Sequence, residues 1–547
     1  MTNLTEIETA VLVVGYGPVG AAVACLLGRY GIETIIIDKA EAMSLQPRAI
    51  ALDNEALRIL QMAGLSDDSF PRLAIPYVKM HSPFVGQFGQ VNTAGAIDGH
   101  PKLVTFAQPD LEAALRKRVD TLATVRVLTG CEATAITETE DGVVTMVRDG
   151  QGRATRIRSA YLVGADGATS FVRGVIGQNF TGQTYAEDWL IVDALDVPSP
   201  IDHIEFICDP RRPTPHMPAP VGRERWEFML RPGETREMME SDARVAELLR
   251  PWLRPDELKI ERRAVYRFHA RCCEAFARGR IVLAGDAAHI TPPFVGQGLV
   301  AGLRDAANLS WKLAAIVKGE ALPQILTSYD TERRPHARAM IGLAKFMGGL
   351  VMPRSALQAI AAHGLMRGLR GVPMLRRFLD ELGVKPQNRF RDGLFVKGRG
   401  GGLLVRGAQI PQGWVRLQTG ALVRSDEALG SSFCLVGFGV DPGTMLPPDL
   451  RRLWSARGYG LVHFCHAGRP CAGPGTFEDV DGTLTPKAAP IGWAAIVRPD
   501  RVVLVDGPAN TAAELVDAAL NLLGDTRTHP ARPEDAAVSG RGDVALA

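Results

Sequence analysis

Three glycines and an aspartate near the start of the chain have the types and spacing of a phosphate-binding site. Gly15, Gly17 and Gly20 stand in the spacing G-x-G-x-x-G, directly after an apolar run. The first glycine permits a tight turn, the second lets the backbone approach a pyrophosphate, and the third lets a helix pack against a strand. Asp38 follows about 20 residues later, where a carboxylate can accept hydrogen bonds from a ribose. We predict a dinucleotide site here, with Pro18 and Lys39 as neighbouring contacts.

Two further aspartates follow apolar runs and are candidates for the same ligand. Asp166 lies in the sequence Gly-Ala-Asp-Gly, and Asp286 ends the sequence RIVLAGD. An acid at the carboxyl end of a parallel strand faces the ligand crevice of such a sheet. The loop 296–298 that follows has N–H groups that could hold an anionic ring edge. The predicted contacts in these motifs are Asp166, Gly285, Asp286, Gly296, Gly298 and Leu299.

Polar residues beside these motifs have a chemical and a structural interpretation. Arg48 is either a solvated loop arginine or a guanidinium near the ligand's ring or phosphates, where it is also a candidate catalytic residue. Gln108 stands where a strand ends and a helix begins, a common place for a side chain to reach a ligand. His289, with Pro292 in the next loop, is a candidate catalytic residue, and the alternative is a structural histidine in a strand-to-helix turn.

Basic residues in a proline-rich segment are candidates for binding a substrate carboxylate. Arg211 and Arg212 are adjacent, and His216 follows them. A guanidinium binds a carboxylate through two parallel, charge-assisted hydrogen bonds. We predict Arg212 as the anchor, with a solvated loop arginine as the alternative, and His216 as a second substrate residue.

The predicted secondary structure that positions these residues differs from one part of the chain to the next. Residues 10–14 form a β-branched, apolar run of the kind that is buried on both faces of a parallel sheet. A small-residue helix over 21–30 and a second apolar run over 34–37 complete a β-α-β unit. Residues 180–270 alternate in the pattern of antiparallel strands, and the chain beyond 400 follows a β-α-β pattern. A membrane helix over 9–28 is excluded because glycine and proline interrupt the run.

The composition excludes several classes of protein. The 547 residues include 62 basic and 60 acidic side chains, a net charge of +2 that favours neither nucleic acid nor a membrane surface. Eight cysteines without a CxxC pair do not form a disulfide scaffold. No basic cluster typical of a signal peptide precedes Thr9. We therefore expect a cytoplasmic protein without a metal site.

The three motifs, in their order, resemble those of the flavin-dependent aromatic hydroxylases of the p-hydroxybenzoate hydroxylase fold. The resemblance extends along the whole chain to the 3-(3-hydroxyphenyl)propanoate hydroxylase branch. The segments PRAIALDNEALR, RWEFMLRPGET, LAGDAAHITP and GQGLVAGLRDAANLSWKLA look like those of that branch. One such motif could arise by chance, but three in order are specific.

This resemblance implies one FAD, with NADH or NADPH and O2 as co-substrates, and hydroxylation of a phenolic acid next to its hydroxyl. Glycines 15, 17 and 20 would contact the pyrophosphate, and Asp38 the ribose. Arg48 and Gln108 would lie along the flavin and its ribityl chain, and Asp286 would bind ribityl hydroxyls. Asp166 belongs to a motif that serves both FAD and the nicotinamide cofactor, and the loop 296–299 would face the isoalloxazine.

The implied fold class is α/β. A Rossmann-like FAD-binding domain would comprise residues 1–75, 104–179 and 273–345, and an antiparallel-sheet substrate domain residues 76–103 and 180–272. A helical connection would span 346–400, and a thioredoxin-like domain without redox cysteines 401–547. We expect a homodimer as the assembly.

The chain departs from that branch beside the flavin, where Pro293-Phe294-Val295 replaces a tryptophan and a glutamine. The more apolar wall makes Phe294 a predicted substrate contact and leaves open a tailoring hydroxylase of a larger polycyclic phenol. Asp38 likewise replaces the more common glutamate. Two further alternatives are a flavin-linked disulfide or quinone reductase, disfavoured by the lack of CxxC, and a non-catalytic FAD-binding assembly protein.

Overall fold

The computed structural model describes residues 5–43, 48–254, 257, 259–381, 385–398, 401–469 and 473–524. These residues separate into two units. One unit contains the chain up to Ala314 together with Tyr329–Arg391, and the other contains Ala315–Ser328 and the chain from Asp392 onward. The first unit contains all the residues that the sequence predicts for the ligand.

The strands are numbered in chain order. Those of the first third are β1 (Thr5–Val14), β2 (Thr34–Asp38), β3 (Ala51–Asp53), β4 (Arg72–Ala74), β5 (Tyr77–Ser82), β6 (Gly86–Asn92), β7 (Ala96–Ile97), β8 (His100–Pro101), β9 (Leu103–Phe106), β10 (Val125–Thr129), β11 (Cys131–Glu138), β12 (Val143–Asp149) and β13 (Ala154–Gly164). The middle third contains β14 (Phe180–Ala194), β15 (Ile204–Ile207), β16 (Thr214–Ala219), β17 (Arg223–Met229), β18 (Ile260–Cys273), β19 (Ala277–Arg278), β20 (Ile281–Leu283) and β21 (His289–Ile290). The last strands are β22 (Trp414–Arg416), β23 (Leu422–Arg424), β24 (Cys434–Phe438), β25 (Gly460–Cys465), β26 (Thr476–Asp479), β27 (Trp493–Val497) and β28 (Val503–Pro508).

The α-helices are numbered in the same way. They are α1 (Pro18–Arg29), α2 (Asn54–Ala63), α3 (Gln108–Val119), α4 (Phe171–Val175), α5 (Arg236–Met239), α6 (Asp242–Leu249), α7 (Gly298–Val317), α8 (Thr327–Val351), α9 (Ala356–Leu369), α10 (Pro373–Asp380), α11 (Ser425–Leu429), α12 (Pro448–Ala456) and α13 (Ala512–Leu523). Short 3₁₀ turns occupy Gly285–Ala287 and Pro293–Val295. None of the helices in the described residues is both long and apolar enough to span a membrane.

The first sheet is Rossmann-like. Its strand order is β10-β2-β1-β13-β12-β11, and β20 pairs with β13. The pairs β10–β2, β2–β1, β1–β13 and β13–β20 are parallel, whereas β12 and β11 form an antiparallel extension. Val11, Leu12 and Val13 of β1 are fully buried, as their apolar run predicts. The parallel strands bring the carboxyl ends of β1, β2, β13 and β20 to one edge.

The second sheet is formed by strands from three parts of the first unit. Its order is β21-β18-β14-β17-β16-β15-β5-β6, and all its pairs are antiparallel except β15–β5. On one face, Trp226 and Phe228 of β17 pack in a hydrophobic cluster with Leu249 of α6. Because side chains alternate along a strand, the neighbouring residues Arg225, Glu227 and Met229 lie on the opposite face.

The second unit contains the thioredoxin-like domain. Its mixed sheet has the order β23-β22-β26-β25-β24-β27-β28. β24 pairs in parallel with β25 and antiparallel with β27, and a core that includes Val436, Phe438 and Phe464 packs on this sheet. The fold is therefore α/β, with a Rossmann-like domain, a second, largely antiparallel sheet and a small thioredoxin-like domain.

Candidate functional site

The glycine-rich loop joins β1 to α1 and shows which of its glycines serve the fold. Gly15 has φ +105°, and a Cβ on it would lie 2.4 Å from the carbonyl oxygen of Ala165. A Cβ on Gly20 would lie 1.9 Å from the oxygen of Gly15. A Cβ on Gly17, by contrast, would meet nothing within 4 Å. Packing therefore requires glycine at 15 and 20, while the space in front of Gly17 is left for a ligand.

The amino terminus of α1 adds a site for an anion. Gly17 is its N-cap, Pro18 occupies the first turn, and no side chain caps the free N–H groups. Uncapped N–H groups and the helix dipole favour a phosphate at such a terminus. Asp38 ends β2 beside this loop, and its carboxylate accepts hydrogen bonds from the amides of Tyr16 (2.7 Å) and Ala40 (2.8 Å). Lys39 is exposed immediately after it.

Gln108 fixes the backbone at Arg48. Its Oε1 accepts hydrogen bonds from the amides of Arg48 (3.2 Å) and Ala49 (2.9 Å). The carbonyl oxygen of Arg48 accepts a hydrogen bond of 3.1 Å from Nη1 of Arg225, on the second sheet. The loop is therefore held from both sides, while the Arg48 side chain stays exposed.

Asp166 organises the turn after β13. Its carboxylate accepts hydrogen bonds from the Ser170 hydroxyl (2.5 Å) and the Val172 amide (3.1 Å) at the start of α4. The guanidinium of Arg173 donates to the carbonyl oxygens of Ala168 (2.8 Å) and Ala287 (3.1 Å). This motif thus connects β13 to the segment that contains Gly285 and Asp286.

Asp286 is a partly buried acid at the carboxyl end of β20. Gly285 before it has φ +61°, a conformation that favours glycine. Burial raises the pKa of Asp286, and His289 and Arg48 oppose this rise. The influence of Arg48 on this pKa indicates that the two predicted cofactor-binding residues face the same region.

His289 is engaged by a buried acid. Its Nε2 lies 2.6 Å from Oδ2 of Asp305 on α7. Asp305 also accepts hydrogen bonds from the amide of Gly285 (3.1 Å) and from Nε of Arg333 (2.9 Å). Burial opposes the ionisation of Asp305, but the charges of His289 and Arg333 outweigh it and lower its pKa. His289 therefore takes part in a network that fixes Gly285, and its role as a base stays a prediction.

Phe294 reaches the second sheet from the loop after β21. Its ring centroid lies 5.8 Å from that of Tyr185, 5.9 Å from that of Trp189 and 6.0 Å from that of Phe268, with the ring planes steeply inclined. Methionines 80, 229, 347, 352 and 366 pack in the same cluster. The resulting wall is aromatic and methionine-rich, and it joins the Gly285-Asp286 segment to the second sheet.

The remaining loop residues lie between Phe294 and α7. Pro292 is buried before the 3₁₀ turn, Gly296 has φ +61°, and Gly298 and Leu299 begin α7. Gly298 and Leu299 are half-buried. These positions present backbone N–H groups at a helix start, as a loop that receives a ring edge requires.

The structure pairs both Arg212 and His216 with carboxylates of the protein. Nη1 and Nη2 of Arg212 donate to the carboxylate of Glu234 at 3.0 and 2.6 Å. Nε2 of His216 lies 2.7 Å from Oε2 of Glu224. His216 stacks on Trp226, on the face that packs against α6. Burial opposes the protonation of His216, but the hydrogen bonds to its carboxylate partners outweigh it and raise its pKa.

Three charged residues of the site were not predicted from the sequence. Arg225 and Glu227 lie on β17, and Asp305 lies on α7. A signal was available for Asp305, because Asp305 and its neighbour Arg304 interrupt a helix whose other side chains are largely apolar. Asp305 is fully buried. Buried charges are usually paired, so a charged residue such as Asp305 within this helix indicates a network.

The comparisons with known proteins agree with this geometry. The FAD binding domain family matches residues 8–344, and the HcaD C-terminal domain family matches residues 407–522. A 3-(3-hydroxy-phenyl)propionate/3-hydroxycinnamic acid hydroxylase from Burkholderia vietnamiensis is 34% identical over 502 residues, 84% of this chain and 82% of that protein. One from Klebsiella pneumoniae is 34% identical over 546 residues, 96% of this chain and 98% of that protein. The flavin-dependent monooxygenase PieE has a similar fold, with a TM-score of 0.78 over 95% of this chain and 99% of that chain at 21% identity.

The glycine loop, the uncapped helix and the acids at strand ends define a dinucleotide-binding oxidoreductase. The chain belongs to the FAD binding domain family and is an FAD-dependent aromatic monooxygenase. The residues present fit FAD: the open space at Gly17 suits a pyrophosphate, and Asp38 and Asp286 suit hydroxyl groups. NAD(P)H and O2 are the co-substrates typical of the class.

Replacing Asp286 with alanine should weaken FAD binding and leave the apoprotein folded. The carboxylate stands at the end of β20, and a hydrogen bond between a charged group and a hydroxyl contributes about 1.5–3 kcal/mol, roughly one to two decades in affinity. Titration of FAD into the apoprotein measures this loss. Asp141→Ala, in an exposed turn, is the matched control. Unchanged affinity in Asp286→Ala would exclude this contact.

Proposed function

We propose that the enzyme hydroxylates 3-(3-hydroxyphenyl)propanoate, or a closely related phenolic acid, at the carbon next to its hydroxyl. The observation that supports this most is the contact of Phe294 with Tyr185, Trp189 and Phe268. It forms an aromatic wall directly beside the segment that we assign to the cofactor. The names and the 34% identity of the curated relatives supply the substrate class.

FAD, when bound, supplies the electron transfer from NAD(P)H and the activation of O2. The tasks of the protein are then to hold FAD, to orient the phenol and to exclude water. The N–H groups before α1, together with Asp38, hold one end of FAD, and Asp286 and the loop 296–299 hold the other. The buried ring of Phe294 and the methionines around it exclude water from the substrate side.

The test is a complete product analysis of the FAD-loaded enzyme. With NADH or NADPH, O2 and 3-(3-hydroxyphenyl)propanoate, we expect the 2,3-dihydroxyphenyl acid, with one oxygen atom taken from ¹⁸O2. The matched control is 3-phenylpropanoate, which lacks the hydroxyl and should not be hydroxylated. Substrate-stimulated NAD(P)H oxidation that gives only hydrogen peroxide would contradict this proposal.

A larger polycyclic phenol is the second candidate substrate. The observation that favours it is the methionine content of the wall around Phe294, because unbranched, flexible side chains adapt to ligands of different shape. A substrate panel that includes uncharged polycyclic phenols distinguishes the two candidates. If the enzyme hydroxylated only the polycyclic phenols, the substrate would be a polycyclic phenol and not the phenolic acid.

Three further assignments belong to this proposal. Arg212 and His216 are proposed substrate residues. The test compares the activity of their variants on the phenolic acid with the activity on a neutral phenol: a loss confined to the acid supports a substrate role, whereas an equal loss on both assigns the residues to their ion pairs with Glu234 and Glu224. We propose a cytoplasmic location, since a chain with eight cysteines and no CxxC suits a reducing compartment. We also propose a homodimer, which the molecular mass in solution tests.

A further inference from the structure

Glu227 is a buried acid on the face of the second sheet that lies opposite the cluster packed against α6. On β17 it alternates with Trp226 and Phe228, which pack on the opposite face. In the antiparallel register, Ile191 of β14 stands opposite Glu227, Asp193 opposite Arg225, and Trp189 opposite Met229. Opposite residues of antiparallel strands share a face. The Glu227 side chain therefore belongs to the same surface as Trp189 and Arg225.

The two ends of this surface meet the two loops that we assign to the flavin. At one end, Nη1 of Arg225 donates to the carbonyl oxygen of Arg48 at 3.1 Å. At the other end, the ring of Trp189 packs at 5.9 Å from the ring of Phe294, close after Asp286 in the chain. Glu227 stands between these contacts along β17. It thus faces the region between the Arg48 loop and the Phe294 loop, where a ring substrate must meet the flavin.

The charged groups around Glu227 leave its carboxylate available. Arg225 faces it from its own strand, Asp193 from β14, and Arg262 and Tyr266 from β18. The carboxylate of Asp193 is occupied, because Nε and Nη2 of Arg225 donate to it at 2.6 and 3.0 Å. Glu227 is only 7% exposed, and no donor within the described part of the chain forms a hydrogen bond to its carboxylate.

We propose that Glu227 is the general base that takes the proton of the substrate's phenol hydroxyl, an inference that rests on the proposed function. The phenol O–H bond breaks, its electron pair moves into the ring as the neighbouring carbon binds one oxygen atom of O2, and a new O–H bond forms on the Glu227 carboxylate. The other oxygen atom leaves as water, and NAD(P)H supplies the two electrons for its reduction. The ring carbon then loses its own hydrogen to water as a proton. Glu227 returns its proton to the phenol oxygen as the ring becomes aromatic again, which regenerates the carboxylate.

The electrostatics suit a base that works near neutral pH. Burial raises the pKa of Glu227 to about 7; Asp193 adds to this rise, whereas Arg225 and Arg262 oppose it. A base is most effective when its pKa is close to the working pH. Arg225 and Arg262 also place positive charge near the oxygen that becomes negative. His289, the alternative base, already lies 2.6 Å from Asp305.

The first test is Glu227→Gln, which retains the size of the side chain and removes the base. We expect hydroxylation of 3-(3-hydroxyphenyl)propanoate in a single turnover to slow by about 10²- to 10⁴-fold, with FAD content unchanged. Glu261→Gln is the matched control, because Glu261 lies beside Arg262 on β18 and its carboxylate already accepts hydrogen bonds from Arg223 at 2.8 and 2.9 Å. A Glu227→Gln enzyme that hydroxylates at the wild-type rate would overturn the proposal.

The second test measures binding to the oxidised holoenzyme by the change in flavin absorbance. The affinity for uncharged 3-ethylphenol should rise between about pH 6 and about pH 8, as Glu227 ionises and becomes an acceptor, and Glu227→Gln should lack this rise. 3-Phenylpropanoate, which has no hydroxyl to donate, should show no rise. The same rise in wild type and Glu227→Gln would overturn the proposal, as would equal weakening of both ligands in the variant.

Glu227→Asp is the second variant, and it is needed if Glu227→Gln does not bind FAD. It retains a carboxylate and should retain FAD, together with the pH-dependent binding of 3-ethylphenol. Loss of FAD in both variants would assign Glu227 to the ion cluster with Arg225 and overturn the proposal. A failure of the proposed function gives a different result. If that function is wrong, the wild-type enzyme shows the pH-dependent binding of 3-ethylphenol but forms no dihydroxyphenyl acid.

Discussion

Replacing Gly17 with valine should give a folded protein that retains no FAD. A Cβ at Gly17 meets no protein atom within 4 Å, so the fold tolerates a side chain there. That side chain would occupy the space through which a pyrophosphate reaches the N–H groups of α1. Loss of two charge-assisted hydrogen bonds costs about 3–6 kcal/mol, roughly two to four decades in FAD affinity. Flavin absorbance of the purified variant and a titration with FAD measure the loss.

The other glycines of this unit provide controls for that experiment. Gly342→Val, at an exposed position of α8 where a Cβ also meets nothing within 4 Å, should retain FAD. Gly20→Val should instead fail to fold, since its Cβ would lie 1.9 Å from the oxygen of Gly15. Full flavin content in Gly17→Val would mean that the pyrophosphate lies elsewhere.

Replacing Asp305 with asparagine should destabilise the FAD-binding domain by about 3–5 kcal/mol, the usual cost of removing one partner from a buried ion pair. The variant would leave Arg333 buried without its carboxylate and would weaken the contacts to His289 and to the amide of Gly285. Thermal denaturation, followed by the fluorescence of released flavin, measures the effect. Asp196→Asn is the matched control, because its ion pair with Lys259 is exposed and should contribute about 0–1 kcal/mol.

The effect of Asp305→Asn should depend on pH in a defined direction. The pKa of Asp305 is lowered in the folded protein, so its ionised form stabilises the fold. This stabilisation is fully present above the unfolded value of about 4 and is lost as the pH falls through the lower folded value. The difference between wild type and variant should therefore be constant near neutral pH and shrink in acid. A difference that grows in acid would contradict this assignment.

The sequence was sufficient to predict the elements whose residues favour a single backbone conformation. The G-x-G-x-x-G spacing predicted the turn between β1 and α1, and the apolar runs predicted the buried strands that end at Asp38 and Gly164. Local backbone requirements decide these elements, so neighbouring residues are enough to specify them. The fold class that they imply agrees with the family match over residues 8–344.

The partners of the charged residues could not be predicted, because strand register decides them. Glu224 and Glu227 are three residues apart on β17, yet Glu224 binds His216 on one face whereas Glu227 lies on the other. Arg212 pairs with Glu234 across two strands, β16 and β17. The aromatic wall could not be predicted for the same reason, because Phe294 contacts Tyr185 of β14, a strand far earlier in the chain. The strand registers that bring these residues together cannot be read from a single sequence.

The order of strands in the first sheet also determines when the cofactor can bind during protein synthesis. β1 (Thr5–Val14) pairs with β13, and β13 pairs with β20 (Ile281–Leu283), which comes far later in the chain. Contacts between such distant residues form slowly, because the entropy of closing the intervening chain must be overcome first. The glycine loop leaves the ribosome long before the strand that presents Asp286 has been translated. A nascent chain therefore exposes the glycine loop before β20 has been made, and we expect cofactor insertion to be a late event in biogenesis.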